Sequence, residues 1–412
     1  MPARSYPRFA TALVRTTLGD SPVTLIHGPR QCGKTTLAQS IGARAGYSYV
    51  TFDADAVRNA ATLDPWGFVS GLPFKVILDE VQRVPTLFAA LKMAVDRDRK
   101  PGRFLLTGSS NVLLVPALAD SLAGRMEVVR LHPLSQAELE RREPAFFRRL
   151  LHDGFPFAQT ERLGARLIDI VVAGGYPPAL ARNPERRAAW YRGYVDSLAQ
   201  RDVRDMSRIG ALEIVPRLIA AAAAQTSQLF NASELTAPFQ VSRPTIRDYV
   251  TLLERVFLIT LLPPWHTNRL SRLVKTPKLH MGDSGIAAAV LGLSRSALLA
   301  DRTAFGPLLE TFVFQELCRQ ASWREDPVSF FHFRDKDGVE VDVVAESEGR
   351  VAGIEVKAGA TVTASDFRGL RKLAEAAGSR FARGVVLYDG ETCAPFGDRL
   401  HAVPIRTLWD RR

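Results

Sequence analysis

Short apolar runs closed by polar or glycine residues punctuate the first third of the chain: Val23-Thr24-Leu25-Ile26, Tyr47-Ser48-Tyr49-Val50-Thr51-Phe52, Lys75-Val76-Ile77-Leu78, Phe104-Leu105-Leu106 and Met126-Glu127-Val128-Val129-Arg130-Leu131. Helical-period stretches precede and separate them, starting with Pro7 to Leu18. Strand and helix in alternation predict an α/β fold with a parallel, doubly wound sheet that presents its ligands at the C-terminal strand edge.

Beyond that region the period changes. Ala165 to Ala173 and Arg186 to Asp205 read as helices, and Ile214 to Gln225 is alanine-rich and helical. Asn231-Ala232-Ser233 starts a short helix, and Ser242-Arg243-Pro244 caps a longer one with Ile246, Tyr249, Val250, Leu253 and Val256 on one face. A β-rich run, Phe257 to Leu261, follows. This helix, turn, helix, strand plan is that of a winged helix. The last third predicts a helix from Phe305 to Arg319, strands Phe330 to Arg334, Val339 to Val344 and Ile354 to Lys357, a helix Ala364 to Ala377 and a strand Gly384 to Tyr388.

The formal net charge of +11, with a pI near 9.9, favours an anionic partner such as nucleic acid. Arg243 and Arg247 on the capped helix, with Arg269, Arg272, Lys275 and Lys278 beyond it, could neutralise DNA phosphates; the alternative is a packing module with solvated or internally paired cations. Cys32, Cys318 and Cys393 form no metal or disulfide pattern, which points to a reducing compartment. The N-terminus lacks the pattern of a signal peptide, and no apolar run approaches the ~18 residues of a membrane span. The expectation is a cytoplasmic protein with no membrane association.

Gly28-Pro29-Arg30-Gln31-Cys32-Gly33-Lys34-Thr35 reads G-x-x-x-x-G-K-T between a predicted strand and the helix opening near Thr36. Its two glycines let successive N–H groups turn towards an anion at a helix N-terminus. Lys34 would reach the β- and γ-phosphates of ATP, and Thr35 would ligate Mg²⁺. The strand ending in Asp79-Glu80 adds a carboxylate for the Mg²⁺ water shell, Asp79, and one to polarise the attacking water, Glu80. Arg125 could stabilise transition-state charge, within its own subunit or across an interface, or be a surface arginine. Cys32 within the loop invites redox inhibition, or is a small tolerated residue.

These motifs, with Thr107-Gly108-Ser109-Ser110-Asn111, Leu122-Ala123-Gly124-Arg125, His132-Pro133-Leu134-Ser135 and Gly174-Gly175-Tyr176-Pro177, resemble the prokaryotic AAA-type ATPases that carry a C-terminal domain of unknown function. Their core is similar to that of archaeal origin-recognition and Cdc6 ATPases. The resemblance spans essentially the whole chain and implies ATP binding and hydrolysis by an AAA/ASCE-type P-loop NTPase core. It implies a polar γ-phosphate sensor at Asn111, Ser109 or Ser110, and a helical lid in which Arg201 or Arg204 is a second sensor or an exposed salt-bridge former.

In the tail, alternation puts Glu355 and Lys357 on one strand face, opposite Asp342 on the preceding strand. Carboxylates that hold Mg²⁺ against a phosphate, and a lysine that activates water, suit phosphodiester hydrolysis. Asp342, Glu355 and Lys357, with Glu310 as a helix-borne acid, resemble the site of the PD-(D/E)xK restriction-endonuclease fold, although Val341 replaces the motif's proline. The other reading is a binding module without catalysis.

The expected organisation is a P-loop ATPase core over 1–164, a lid over 165–209, a winged helix over 210–300 and a nuclease-like α/β domain over 301–412. Function is then an Mg²⁺-dependent ATPase that couples nucleotide state to DNA through the winged helix and the tail. The alternative is a non-nucleolytic regulatory ATPase whose tail binds a protein partner or mediates homo-oligomerisation.

Overall fold

Every residue of Val23–His27 (β1) is buried, as a strand covered on both faces requires. Leu25 packs with Phe88, Leu91 and Leu106 on one face of the sheet, and Ile26 packs with Leu37, Ile41 and Leu105 on the other. With Ser48–Thr51 (β2), Val76–Asp79 (β3), Phe104–Gly108 (β4) and Met126–Arg130 (β5) it forms a parallel sheet of order β2-β3-β4-β1-β5. Parallel neighbours need crossovers, and the helices Lys34–Ala45 (α2) and Leu87–Arg97 (α3) supply two of them; Ala10–Asp20 (α1) precedes β1. Because β4 lies between β1 and β3, residues at its C-terminal end stand between the phosphate loop and the carboxylate pair.

The computed structural model describes residues 6–109, 122, 124–200, 214–268 and 276–410. They divide into two compact units: Met1–Leu134 with the returning segments Arg255–Phe257 and Ser322–Glu325, and Ser135–Glu254 with Leu258–Ala321 and Asp326–Arg412.

The second unit contains Ala158–Gln159 (β6), Ala165–Ala173 (α4) and Pro184–Leu198 (α5), then Ile214–Ala224 (α6), Gln228–Leu229 (β7), Ala232–Phe239 (α7), all but the last residue of Arg243–Arg255 (α8), Ile259–Leu262 (β8) and Lys278–Met281 (β9). The face of α8 read from the sequence is buried at Ile246, Tyr249, Val250 and Leu253. Strands β7 to β9 form an antiparallel sheet of order β7-β9-β8.

Ser284–Val290 (α9) and Phe305–Ala321 (α10) lead into Ser329–Arg334 (β10), Glu340–Ser347 (β11) and Arg350–Lys357 (β12), an antiparallel meander. Arg368–Ala377 (α11) then crosses over to Phe381–Tyr388 (β13), parallel to β12. Thr392–Pro395 (β14) and Leu400–Pro404 (β15) complete a sheet of order β10-β11-β12-β13-β15-β14-β6. Leu370 and Leu373 of α11 pack with Val341, Val351 and Val386 of this sheet.

Two motifs flagged in the sequence are explained by packing. Ser135 caps the helix Gln136–Glu140, its hydroxyl accepting from the Glu138 N–H while the Glu138 carboxylate accepts from the Ser135 N–H. At Gly174 (φ 64°) a Cβ would stand 2.1 Å from Asp283 Oδ1, so only glycine fits. Asp283 accepts from the Gly175 N–H at 2.9 Å and from Arg319 at 2.7 Å; Arg319 also binds Glu316 at 2.7 Å, and Glu316 accepts from the Gln136 N–H. Burial and the Asp283 charge push the neighbouring Tyr191 phenol well up.

Candidate functional site: the phosphate loop and its carboxylates

The loop needs its glycines for two different reasons. A Cβ on Gly28 would lie 2.0 Å from the Leu131 carbonyl oxygen, and Gly33, at φ 103°, begins α2 in a conformation that L side chains avoid. The Lys34 ammonium, 4% exposed, donates to the Pro29 carbonyl within the loop at 2.8 Å. Gly28 and Pro29 are buried, Arg30 is half-buried, and Gln31 and Thr36 are exposed.

Arg8, which carried no role in the sequence reading, clamps this loop. Its guanidinium donates to the Cys32 carbonyl at 2.7 Å and to the His132 carbonyl at 2.6 Å. Cys32 is fully buried, its thiol is directed at the Leu131 carbonyl, and burial pushes its pKa up, so the geometry favours a packed small residue over a redox-sensitive thiolate.

Thr35 donates to Asp79 Oδ1 at 2.8 Å, joining the first turn of α2 to the end of β3. Thr107 of β4 donates to the same oxygen, and its own hydroxyl oxygen accepts from the Glu80 N–H at 3.1 Å. Tyr49 of β2 donates to Asp79 Oδ2 at 2.9 Å; burial and that carboxylate push the phenol up to about 12. Asp79 is thereby fixed through both oxygens, with the Thr35 hydroxyl beside it. A divalent ion with reluctantly shed waters suits this threonine and carboxylate donor set.

Glu80 adopts left-handed φ, 57°, a conformation costly for a non-glycine residue and found where the chain must aim a side chain. Its Oε2 accepts from Ser109 at 2.7 Å and from the Gln82 amide, which also donates to Ser109 at 2.9 Å. Ser109, one of three candidate sensors, is thus a holder of the carboxylate. Ser110 and Asn111 lie outside the described residues. At the end of β1, His27 is held neutral: burial, Arg130 and Lys34 bring its pKa down to about 3.

Arg125 does not meet this site in its own chain. It precedes β5, whose first residue pairs with Val23, whereas the loop follows His27 at the other end of β1. The strand between them spans about 16 Å. Arg125 instead forms a two-pronged ion pair with Asp96, at 2.6 and 3.0 Å.

In the second unit the expected acids do converge, but around a cation of the chain. The Val343↔Ile354 register brings Asp342 alongside Glu355, and α10 supplies Glu310. Lys278 places its ammonium 3.0 Å from Glu310 Oε1 and 3.2 Å from Asp342 Oδ1. Lys357 binds Glu355 at 3.1 Å, and Asp342 Oδ2 accepts from the Val356 N–H at 2.9 Å. Burial and the Asp342 charge push the Glu310 and Glu355 carboxyls up to about 8. One expectation is corrected: Lys278 is buried and internally paired, not a solvated DNA-contacting cation. Among the described residues no group of three or more His, Cys, Asp or Glu side chains is placed to hold a metal ion.

Of the other basic residues, Arg243 and Arg247 are exposed on α8 and line a cleft of about 400 Å³ with Asn231, Thr251 and Thr276. Arg201, Arg204, Arg269, Arg272 and Lys275 lie outside the described residues. No described helix is long and apolar enough to cross a membrane.

Residues 20–140 match an AAA domain family, and residues 164–297 and 305–408 match two families described as domains of unknown function, DUF8612 and DUF4143. Among solved structures, the Walker-type ATPase PABY2304 of Pyrococcus abyssi aligns at 15% identity over 68% of this chain and 94% of that one, with a TM-score of 0.44. The RuvB Holliday junction branch migration motor of Thermotoga maritima aligns at 16% identity over 62% and 89%, with a TM-score of 0.28. Scores this low do not speak for a shared whole-chain fold. Uncharacterized proteins Rv2008c of Mycobacterium tuberculosis and Mb2031c of Mycobacterium bovis are each 32% identical over 399 residues, 96% of this chain and 83% of theirs. The chain, an AAA-type P-loop ATPase-like domain followed by two domains of unknown function, belongs to the same family as these mycobacterial proteins.

Proposed function

We propose that this protein is an Mg²⁺-dependent ATPase whose second unit contacts DNA without cutting it. The observation that carries the ATPase reading is the linked set around β4: Thr35 and Thr107 on Asp79, with Ser109 and Gln82 on Glu80. The loop N–H groups, the α2 N-terminus and Lys34 would bind the triphosphate, and Thr35 with Asp79 would hold the metal. The ion would offset charge on the phosphates. Glu80, aimed by two donors, would take up the proton of the attacking water.

The DNA reading rests on α6, β7, α7, α8, β8 and β9, an order that supports a winged helix, and on exposed Arg243 and Arg247 of α8. The internal pairing of Lys278 favours the non-nucleolytic version of the tail. Two assays test the reading. The purified chain should hydrolyse ATP only with Mg²⁺, and Lys34→Ala should abolish this; hydrolysis retained in that variant would refute it. DNA affinity should fall with salt, and Arg243→Ala with Arg247→Ala should lower the log–log slope by about 2. An unchanged slope removes α8 from the interface.

A further inference from the structure

The divalent cation that the tail's acids suggested does not fit the residues present, because the chain supplies its own cation there. Lys278 enters from β9, its side chain only 4% exposed, and lies within 4.0 Å of three carboxylates, Glu310, Asp342 and Glu340. A divalent ion bridging Glu310 and Asp342 would need the space and the carboxylate oxygens that the ammonium uses, and two positive centres that close repel strongly in a buried site. The other Asp342 oxygen is committed to the Val356 N–H. His280, two residues along β9 and on the same face, is fully buried; its Nε2 has no hydrogen bond and stands 3.9 Å from Glu310 Oε1. It aims a second donor-competent nitrogen into the cluster.

We propose that Glu310, Asp342 and Glu355 form a cation site closed by Lys278, which takes a divalent metal ion only when that ammonium is absent. The inference rests on the non-cleaving reading of the tail and is independent of the phosphate loop. With the ammonium gone, the Glu310 and Asp342 oxygens it engages and the His280 nitrogen would be left as a mixed oxygen and nitrogen donor set, which the lysine neutralises in the meantime.

The test is Mn²⁺ uptake by the full chain without nucleotide, followed by the loss of the free-ion electron paramagnetic resonance signal. Wild type and Asp342→Asn should take up the same amount. Lys278→Ala should gain one site per chain at least tenfold tighter than any wild-type uptake, and the Lys278→Ala, Asp342→Asn double variant should lose it. Near-ultraviolet circular dichroism reports whether Lys278→Ala is folded. A folded Lys278→Ala chain that gains no site overturns the proposal. So does wild-type uptake that falls in Asp342→Asn, or Mn²⁺-dependent cleavage of plasmid DNA that the same variant loses; these two outcomes decide the matter even if Lys278→Ala does not fold.

Discussion

The Ser109 hydroxyl donates to Glu80 Oε2 at 2.7 Å, so the residue after the β4 strand fixes the carboxylate that follows β3. Ser109→Ala should therefore lower kcat for ATP hydrolysis about tenfold with little change in KM, because it misplaces a base without touching the ligand's phosphates. Gln82→Ala should act alike, and the double variant should fall short of the product of the two, since both serve one oxygen. Steady-state kinetics of the four proteins checks this; full additivity would show that the two donors act separately.

Replacing Glu80 itself would remove the proposed proton acceptor. Glu80→Gln should bind ATP with near wild-type affinity and hydrolyse it about 100-fold more slowly or worse. Calorimetry paired with phosphate release measures both quantities, and equal hydrolysis in the two proteins would assign the base elsewhere.

Arg8 acts through the loop backbone. Its charge-assisted bonds to the carbonyls of Cys32 and His132 hold the turn whose N–H groups would face the phosphates under the proposed function. Arg8→Ala should raise the Kd for ATP about tenfold while leaving hydrolysis at saturating ATP nearly unchanged. A large loss of kcat at saturation would contradict this positioning role.

His27 makes the first unit sensitive to acid. Its folded pKa of about 3 lies below the unfolded value of 6.5, so the unfolded chain binds more protons between them and stability is lost as pH falls through that window. At pH 5 the loss is about 2 kcal/mol. Glu310 and Glu355, raised to about 8, act in the opposite sense between pH 4.5 and 8, so the comparison must be with His27→Gln. Thermal melts at pH 7 and pH 5 should show a smaller acid-induced drop in the variant; equal drops would mean that His27 is not held neutral.

The pair of Arg319 and Asp283, 2.7 Å apart and both buried, joins α10 to the cap of α9. Arg319→Ala leaves Asp283 and Glu316 buried without their shared partner and should cost about 3–5 kcal/mol in denaturant unfolding. A loss below about 1 kcal/mol would indicate that water enters and replaces the guanidinium.

The phosphate loop was readable in the sequence because its chemistry is local. Gly28 to Thr35 are consecutive, so their spacing along the chain is nearly their spacing in space, and the apolar runs around them dictate strand and helix. Asp79 and Glu80 were readable for the same reason, as the end of a buried strand. Strand order was not: only the insertion of β4 between β1 and β3 brings Thr107 and Ser109 to those carboxylates, and only the direction of β5 removes Arg125 from them. The tail shows the limit most sharply. The alternation of β12 and the helix-borne Glu310 foretold an acid cluster, but its counter-ion comes from Lys278, 64 residues from Asp342 along the chain. A cation's identity at such a site is decided by which strand the fold lays across it, and no local pattern of apolar and polar residues encodes that.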